Sequence, residues 1–267
     1  AGIFDDVRIY NRALSATEIT ALYNLGANTY INTSPLKNLT SGLVAYWTLD
    51  GKDTPWTSST AATTLDKSGN GNTGTLTNMS QSIATAPGKM GQGLKFTGAG
   101  ARVKVDADLA DNLPNFSVSV WIKPSVANLS GTDIYLGEFR NNSDTNSTWY
   151  INRSSAERYS FSVINSSSSL IQSTLSQAFT DTNWHHVIGV YDGSNVTVYV
   201  DRIAGTPVAM TGNAKDTPTY PLCIGSGSGS SADCESTTLF SPTLLDDVRI
   251  YNRALSATEI TALYNLG

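Results

Sequence analysis

Four oxygen-bearing side chains alternate in the segment DKSGNGN: Asp66, Ser68, Asn70 and Asn72. Hard oxygen donors at alternate loop positions, with glycines that let the backbone curl tightly, are what a calcium ion takes. The twelfth position counted from Asp66 is Thr77, so the bidentate glutamate of an EF-hand is missing and further ligands would have to come from elsewhere in the fold. The same residues also build metal-free Asx and glycine turns. Both readings fit the segment.

Catalytic chemistry finds less support. Hydrolysis of a glycosidic bond needs two carboxylates flanking it. The chain has five glutamates, Glu18, Glu138, Glu157, Glu235 and Glu259, and none lies in an acidic cluster at alternate positions of a strand. His185 and His186 are neighbours on one predicted strand, so they point to opposite faces, one expected packed and one exposed. No Ser/His/Asp or Cys/His arrangement is signalled, and the chain is read as non-enzymatic. A sugar, by contrast, needs aromatic faces with amides and charges beside them. Tyr135, Arg140, Asn142, Trp149 and Tyr150 lie in loop-flanked strands that could present such a surface. The competing reading makes these aromatics core or rim packing, since most tryptophans of a sandwich are largely buried.

Cys223 and Cys234 enclose ten residues, IGSGSGSSAD, too flexible to fold unaided. A disulfide closing that loop, and an oxidising compartment, is one reading; two reduced, buried thiols is the other. Bulk properties narrow the partners. The net charge of −5 argues against nucleic acid, which requires a basic stripe. No run approaches the apolar length of a membrane helix. A 15% charged fraction with abundant Ser, Thr, Asn and Gly suits a secreted or cell-surface β-sandwich with polar loops.

The elements that would carry these groups are mostly strands. Leu43 to Asp50 is the first of the main body, followed by a Ser/Thr-rich loop over Lys52 to Thr64. Short strands are expected at GLKFTG and ARVKVD. In Asn115 to Pro124, Val118, Val120 and Ile122 alternate with Ser117, Ser119 and Trp121, and the large Trp121 implies cover on both faces. Further strands are expected at Ile134 to Phe139, Thr148 to Arg153, Tyr159 to Ile164 and Leu170 to Leu175. The clearest hairpin joins Trp184–Asp192 to Asn195–Asp201 through Gly193 and Ser194.

One stretch occurs twice. DDVRIYNRALSATEITALYNLG runs from Asp5 to Gly26 and again from Asp246 to Gly267. Each copy reads as a strand and a capped helix. In the second, Ser256 and Glu259 have capping-box spacing, Leu255 and Ile260 form a hydrophobic staple, and Gly267 stands at the C-cap. So short a helix needs a sheet beneath its apolar face. The second copy has such a body before it; the first does not. Residues 1–26 are therefore read as the closing element of a preceding repeat, or as a donor segment that enters a neighbouring molecule. Asp5, Val7, Ile9, Ile19, Leu22 and Tyr23 would make that inter-subunit contact, with neighbouring copies as partners. Residues 27–41 read as a linker and 42–267 as the main domain. Arg8/Arg12 and their copies Arg249/Arg253 are expected to pair locally with Asp residues and to cover apolar surface with their stems.

From about Gly42 onward the chain resembles the laminin-G-like modules of the concanavalin A-like jelly-roll superfamily, in their bacterial form. The resemblance rests on six segments in order: LVAYWTLDG, LDKSGNGNTGTL, MGQGLKFTGAGARVKV, FSVSVWIKP, WHHVIGVYDGSNVTVYVD and LLDDVRIYNRALSATEI. It implies an all-β jelly-roll sandwich of two antiparallel sheets with a short C-terminal helix, adjacent first and last strands, and an extracellular setting. Calcium-binding jelly rolls of this kind make Asp246 or Asp247 a candidate to complete the Asp66 loop. Where the family usually has glycine after YVD, this chain has Arg202. The function expected is structural or adhesive, in a repetitive surface protein or filament; the alternative is a carbohydrate-binding module with a glycan as ligand.

Overall fold

The computed structural model describes residues 13–15, 39–97, 100–125, 132–139, 147–216, 220–226, 234 and 242–267. The chain divides into two compact units, Ala1–Asn38 and Leu39–Gly267. In the first only residues 13–15 are described, and they form no regular element. The residues named above as an inter-subunit contact lie outside the described set.

The second unit is a sandwich. Its strands are β1 Leu43–Trp47, β2 Ala62–Thr64, β3 Gly74–Thr77, β4 Thr85–Pro87, β5 Gln92–Phe96, β6 Arg102–Val105, β7 Phe116–Pro124, β8 Asp133–Phe139 and β9 Ser147–Arg153. There follow β10 Tyr159–Ile164, β11 Leu170–Thr174, β12 His185–Tyr191, β13 Asn195–Val200, β14 Ile203–Ala204, β15 Val208–Ala209, β16 Leu222–Ile224 and β17 Thr243–Tyr251. Helix α1 is a single turn, Gln81–Ala84, and α2 spans Ala257–Leu266. One sheet has the order β14-β13-β12-β7-β17-β5-β4, with β1 also on β17 and β15 on β13. The other has the order β11-β10-β9-β8-β16-β6-β3-β2. Every pairing is antiparallel, and the first strand pairs with the last, Trp47 opposite Val248.

Alternation builds the core. Val118, Val120 and Ile122 of β7 join Trp47, Phe96, Trp149, Phe161, Val198 and Val248 between the sheets. Gly189 of β12 has no side chain because Phe161 of the opposite sheet occupies the space; a Cβ there would lie 2.3 Å from its ring. The other face of β7 is also covered, and Trp121 is 1% exposed. The hairpin between β12 and β13 forms as the Asp-Gly signal predicts, with Tyr191 opposite Val196 and Asp192 Oδ1 accepting from the N–H groups of Ser194 and Asn195. Seven short elements escape the sequence reading: β2 within the Ser/Thr-rich loop, β3, β4, β14, β15, β16 and α1. Each is too short for periodicity to register, and each is held by its neighbours.

Candidate functional site

The duplicated sequence can be followed in its second copy. β17 lies inside its sheet, between β7 on one side and β5 and β1 on the other. A bulge between Asp246 and Arg249 interrupts its register with β7, and Asp247 sits there at φ 54°. The bulge turns Asp247 and Arg249 to the outer face, where they pair at 3.0 Å and the guanidinium lies 4.4 Å over the Tyr46 ring. Arg253 takes Glu259 in a fork, at 3.0 and 2.7 Å, and also donates to the Ser41 carbonyl. The expected Asp partner is found for Arg249, whereas Arg253 pairs with a glutamate instead. The Ser117 hydroxyl donates to the Arg253 carbonyl and accepts from the Leu255 N–H, which fixes the turn into α2.

Helix α2 starts as expected. Ser256 and Glu259 form the complete capping box. Ile260 and Leu263 bury against Leu39, Ile188, Val190, Tyr251 and Leu255 on the outer face of the sheet. An aromatic stack closes the far end: Trp121 lies on His186 at 4.7 Å, Tyr264 on Trp121 at 5.4 Å, and Lys89 over the Trp121 ring at 4.7 Å. Burial holds His186 neutral, with its pKa lowered to about 3. The histidines do point to opposite faces, but neither is exposed. His185 bridges Asp201 at 2.8 Å and Asp181 at 3.1 Å under Phe179. Burial opposes its charge, and the two carboxylates outweigh burial to raise its pKa.

Arg202 explains the family's glycine. Asp201 and Arg202 have φ of 49° and 73° in the two-residue turn that joins β13 to β14. Both sit in the left-handed region that a type I′ hairpin demands and that a side chain resists. The Arg202 guanidinium lies 4.4 Å over the Tyr264 ring, so the residue trades backbone strain for a latch on α2. Arg202→Gly is expected to be more stable than Arg202→Ala by about 1 kcal/mol in urea unfolding. Equal midpoints would remove the strain.

The loop at Asp66 is a closed hydrogen-bond system. Asp66 Oδ1 accepts from the N–H groups of Tyr46 and Ser68, and Oδ2 accepts from the Ser68 hydroxyl and the Asn72 N–H. The Val44 carbonyl accepts from Ser68, Asn70 and Asn72. Burial pushes the Asp66 carboxyl up, but these donors outweigh it and the pKa is lowered. Four donors match the lone pairs that a carboxylate offers. Asp246 joins none of these bonds; its Oδ2 accepts from Lys89 and Met90 N–H at 2.8 and 2.7 Å. As arranged, the loop does not fit a calcium ion, and we propose that it holds itself without one. Millimolar calcium is then expected to leave the unfolding temperature unchanged, while Asp66→Ala lowers stability by about 2–3 kcal/mol. A calcium-dependent rise in that temperature would reinstate the ion.

The aromatic set turns inward. Trp149 is 0% and Tyr135 1% exposed, both in the main core. Tyr150 packs with Ile134, Ile164 and the two cysteines on the outer face. None of these rings offers a face to a sugar, because strand alternation puts Trp149 between the sheets and the Cys223–Cys234 corner lies against Tyr150. Arg140 and Asn142 lie outside the described residues. Cys223 and Cys234 are disulfide-bonded, with Cα atoms 5.5 Å apart.

A cleft of about 330 Å3 lies elsewhere, lined by Asp106, Ala107, Asp108, Tyr220 and Pro221. Behind it Glu138 is fully buried and accepts from the Leu109 N–H at 3.0 Å. Burial first, and then the Asp111 carboxylate, raise the Glu138 pKa to about 8, against the Leu109 N–H and the Trp149 indole. The acidic run Asp106, Asp108, Asp111 after a strand is visible in the sequence. That Tyr220 and Pro221 face it is not, because β16 reaches β6 from more than a hundred residues away.

The chain matches the family model described as the concanavalin A-like lectin/glucanases superfamily, of laminin G type, over residues 97–261. It is 27% identical over 164 residues to the adhesion G-protein coupled receptor V1 of Danio rerio, a match that covers 57% of this chain and 2% of that receptor. Among solved structures it is similar to the binding domain of Paraclostridial Mosquitocidal Protein 1, with TM-score 0.62, 16% identity, and 85% of this chain against 53% of that one. It is also similar to domain 4 of AbnA, an extracellular arabinanase from Geobacillus stearothermophilus solved with arabinotriose. There the TM-score is 0.61 at 20% identity, over 84% of this chain and 98% of that one. A third is the ligand-binding domain of botulinum neurotoxin serotype D with N-acetylneuraminic acid, at TM-score 0.60 and 12% identity, over 86% and 52% of the two chains. The chain thus spans about half the length of the two toxin domains.

Proposed function

This chain belongs to the concanavalin A-like lectin/glucanases superfamily, and we propose that it serves as a non-catalytic module of a repetitive extracellular protein, with an adhesive or spacing role at a cell surface or in a filament. The observation that carries the reading is the duplicated closing sequence together with the place of its second copy. β17 is an interior strand, and its slot is filled by the chain's own residues. A free edge would invite a donor from a neighbour; a filled slot does not. Residues 1–26 therefore fit the closing element of a preceding repeat better than an exchanged donor. Glu138 and Asp246, whose pKa values burial raises, are 0% and 1% exposed and out of reach of a substrate, which supports a non-catalytic reading. No described helix is long and apolar enough to cross a membrane. Electron micrographs of the protein from its source are expected to show a regular subunit repeat. Isolated particles without one would overturn the array.

The cleft favours a second reading, a glycan-binding module. Carboxylates that accept from sugar hydroxyls, beside an aromatic wall, suit a neutral saccharide. Asp106 is the residue to test, since its side chain is 78% exposed and pairs with Lys104 at 3.0 Å, a surface pair of small energetic weight. Asp106→Ala is expected to weaken glycan-array binding about tenfold without moving the unfolding temperature. Unchanged binding would clear the cleft of this role.

A further inference from the structure

Leu175 to Trp184 carry the chain from β11 of one sheet to β12 of the other and close that end of the sandwich. Of these residues Leu175 and Phe179 are buried. We propose that the segment is a pH-sensitive strap, held down while His185 is charged between Asp181 and Asp201, and released at its Asp181 end when His185 loses its proton. The device rests on neither functional reading above.

Both ring nitrogens of His185 face carboxylates. Nδ1 meets Asp201 Oδ2 at 2.8 Å, and Nε2 meets Asp181 Oδ1 at 3.1 Å. A neutral imidazole has one N–H, so one of these contacts would set a ring lone pair against a carboxylate oxygen; the imidazolium donates to both. The two carboxylates are not held alike. Asp201 lies at the turn after β13, its Oδ1 accepts from the His186 N–H at 2.9 Å, and its side chain is 24% exposed. Asp181 belongs to the strap, its side chain is 50% exposed, and it accepts from the Asn183 N–H of the strap itself at 2.7 Å. Loss of the proton therefore keeps the Asp201 contact, with Nδ1 as donor, and turns Asp181 out to water.

What Asp181 secures is Phe179, the plug of the strap. The Phe179 ring stands edge-on to His185 at 4.7 Å and to Tyr159 at 5.5 Å. Its N–H donates to the Glu157 carbonyl at 2.8 Å, and its carbonyl accepts from Arg153 at 2.6 Å. The groups that meet His185 are Asp181 of the strap, Asp201 of the turn and Tyr159 of β10, while Arg153 and Glu157, which hold the Phe179 backbone, pair with each other. Burial keeps the Tyr159 phenol neutral, well above its ordinary pKa. His185 is the group of this set poised to change charge near neutral pH. Burial lowers its pKa, but Asp201 and then Asp181 outweigh burial and raise it. A group whose pKa is raised on folding gives its full contribution below the unfolded value, about 6.5 for histidine, and loses it as pH climbs through the folded one. The strap is thus fast in mild acid and loose in mild base.

The test uses the full chain and amide hydrogen exchange read by NMR, corrected for the intrinsic effect of pH on exchange. Between pH 6 and pH 9, protection of the Phe179 N–H is expected to fall about tenfold, the loss of one hydrogen bond to a charged group, while protection of the Ile188 N–H within β12 holds. In Asp181→Asn, Phe179 is expected at the lower level already at pH 6, with no further fall. The nitrogen spectrum of His185 in the parent should show both ring nitrogens protonated at pH 6. A parent whose corrected Phe179 protection is flat with pH overturns the strap. So does a fall at Ile188 equal to that at Phe179, an Asp181→Asn variant that keeps the parent's pH profile, or a His185 with one protonated nitrogen at pH 6.

Discussion

Asp246→Asn is expected to stabilise the protein above neutral pH and to leave it unchanged near pH 4. Asp246 is 1% exposed, and burial, then the neighbouring Asp247 and Asp50, raise its pKa to about 7 against the N–H groups of Met90 and Lys89. A carboxyl whose pKa is raised on folding binds its proton more tightly in the folded state. Its contribution is therefore intact below the unfolded pKa of about 4 and is lost as pH climbs to about 7. A shift of that size corresponds to about 3–4 kcal/mol at most. Asparagine keeps an oxygen for the two N–H groups and removes the charge. The pH at which the two proteins separate identifies the group, because His185 titrates in both and cancels. Urea unfolding of the two proteins from pH 4 to pH 9 checks it. A variant that is less stable than the parent at pH 8 would show that the carboxylate is used in its charged form, as by a cation.

Trp149→Ala is expected to destabilise the fold by about 3–5 kcal/mol. The ring is fully buried, 6.1 Å from Phe116 and 6.4 Å from Phe161. Its indole also faces the buried Glu138 carboxyl and helps to offset that group's burial. Removal leaves a cavity beside that buried acid. Any glycan affinity should then fall only in proportion to the unfolded fraction, with the folded fraction binding as before. Denaturation curves measured beside binding isotherms separate the two. A variant of unchanged stability that no longer binds would return Trp149 to a ligand site.

The parts of this molecule that were legible in the sequence are those governed by neighbours along the chain. The capping box at Ser256 and Glu259, the Asp192–Gly193 turn and the alternation of Val118, Val120 and Ile122 all follow from local geometry, and the six ordered segments were enough for the sandwich. The direction of the Trp149 ring was not legible, because alternation says only that one face differs from the other. Pairing with β8 and β10 decides which face meets the second sheet. The Asp66 loop shows the same limit. Its oxygens are evident in the sequence, but one donor to Asp66 is the Tyr46 N–H of β1, twenty residues earlier, and the Val44 carbonyl of the same strand takes the Ser68, Asn70 and Asn72 donors. Asp246 and the cleft depend on still longer separations. Sequence alone determined what each segment can form; the tertiary structure decided which polar groups meet, because burial and hydrogen-bond partners are set by strands far apart in the chain.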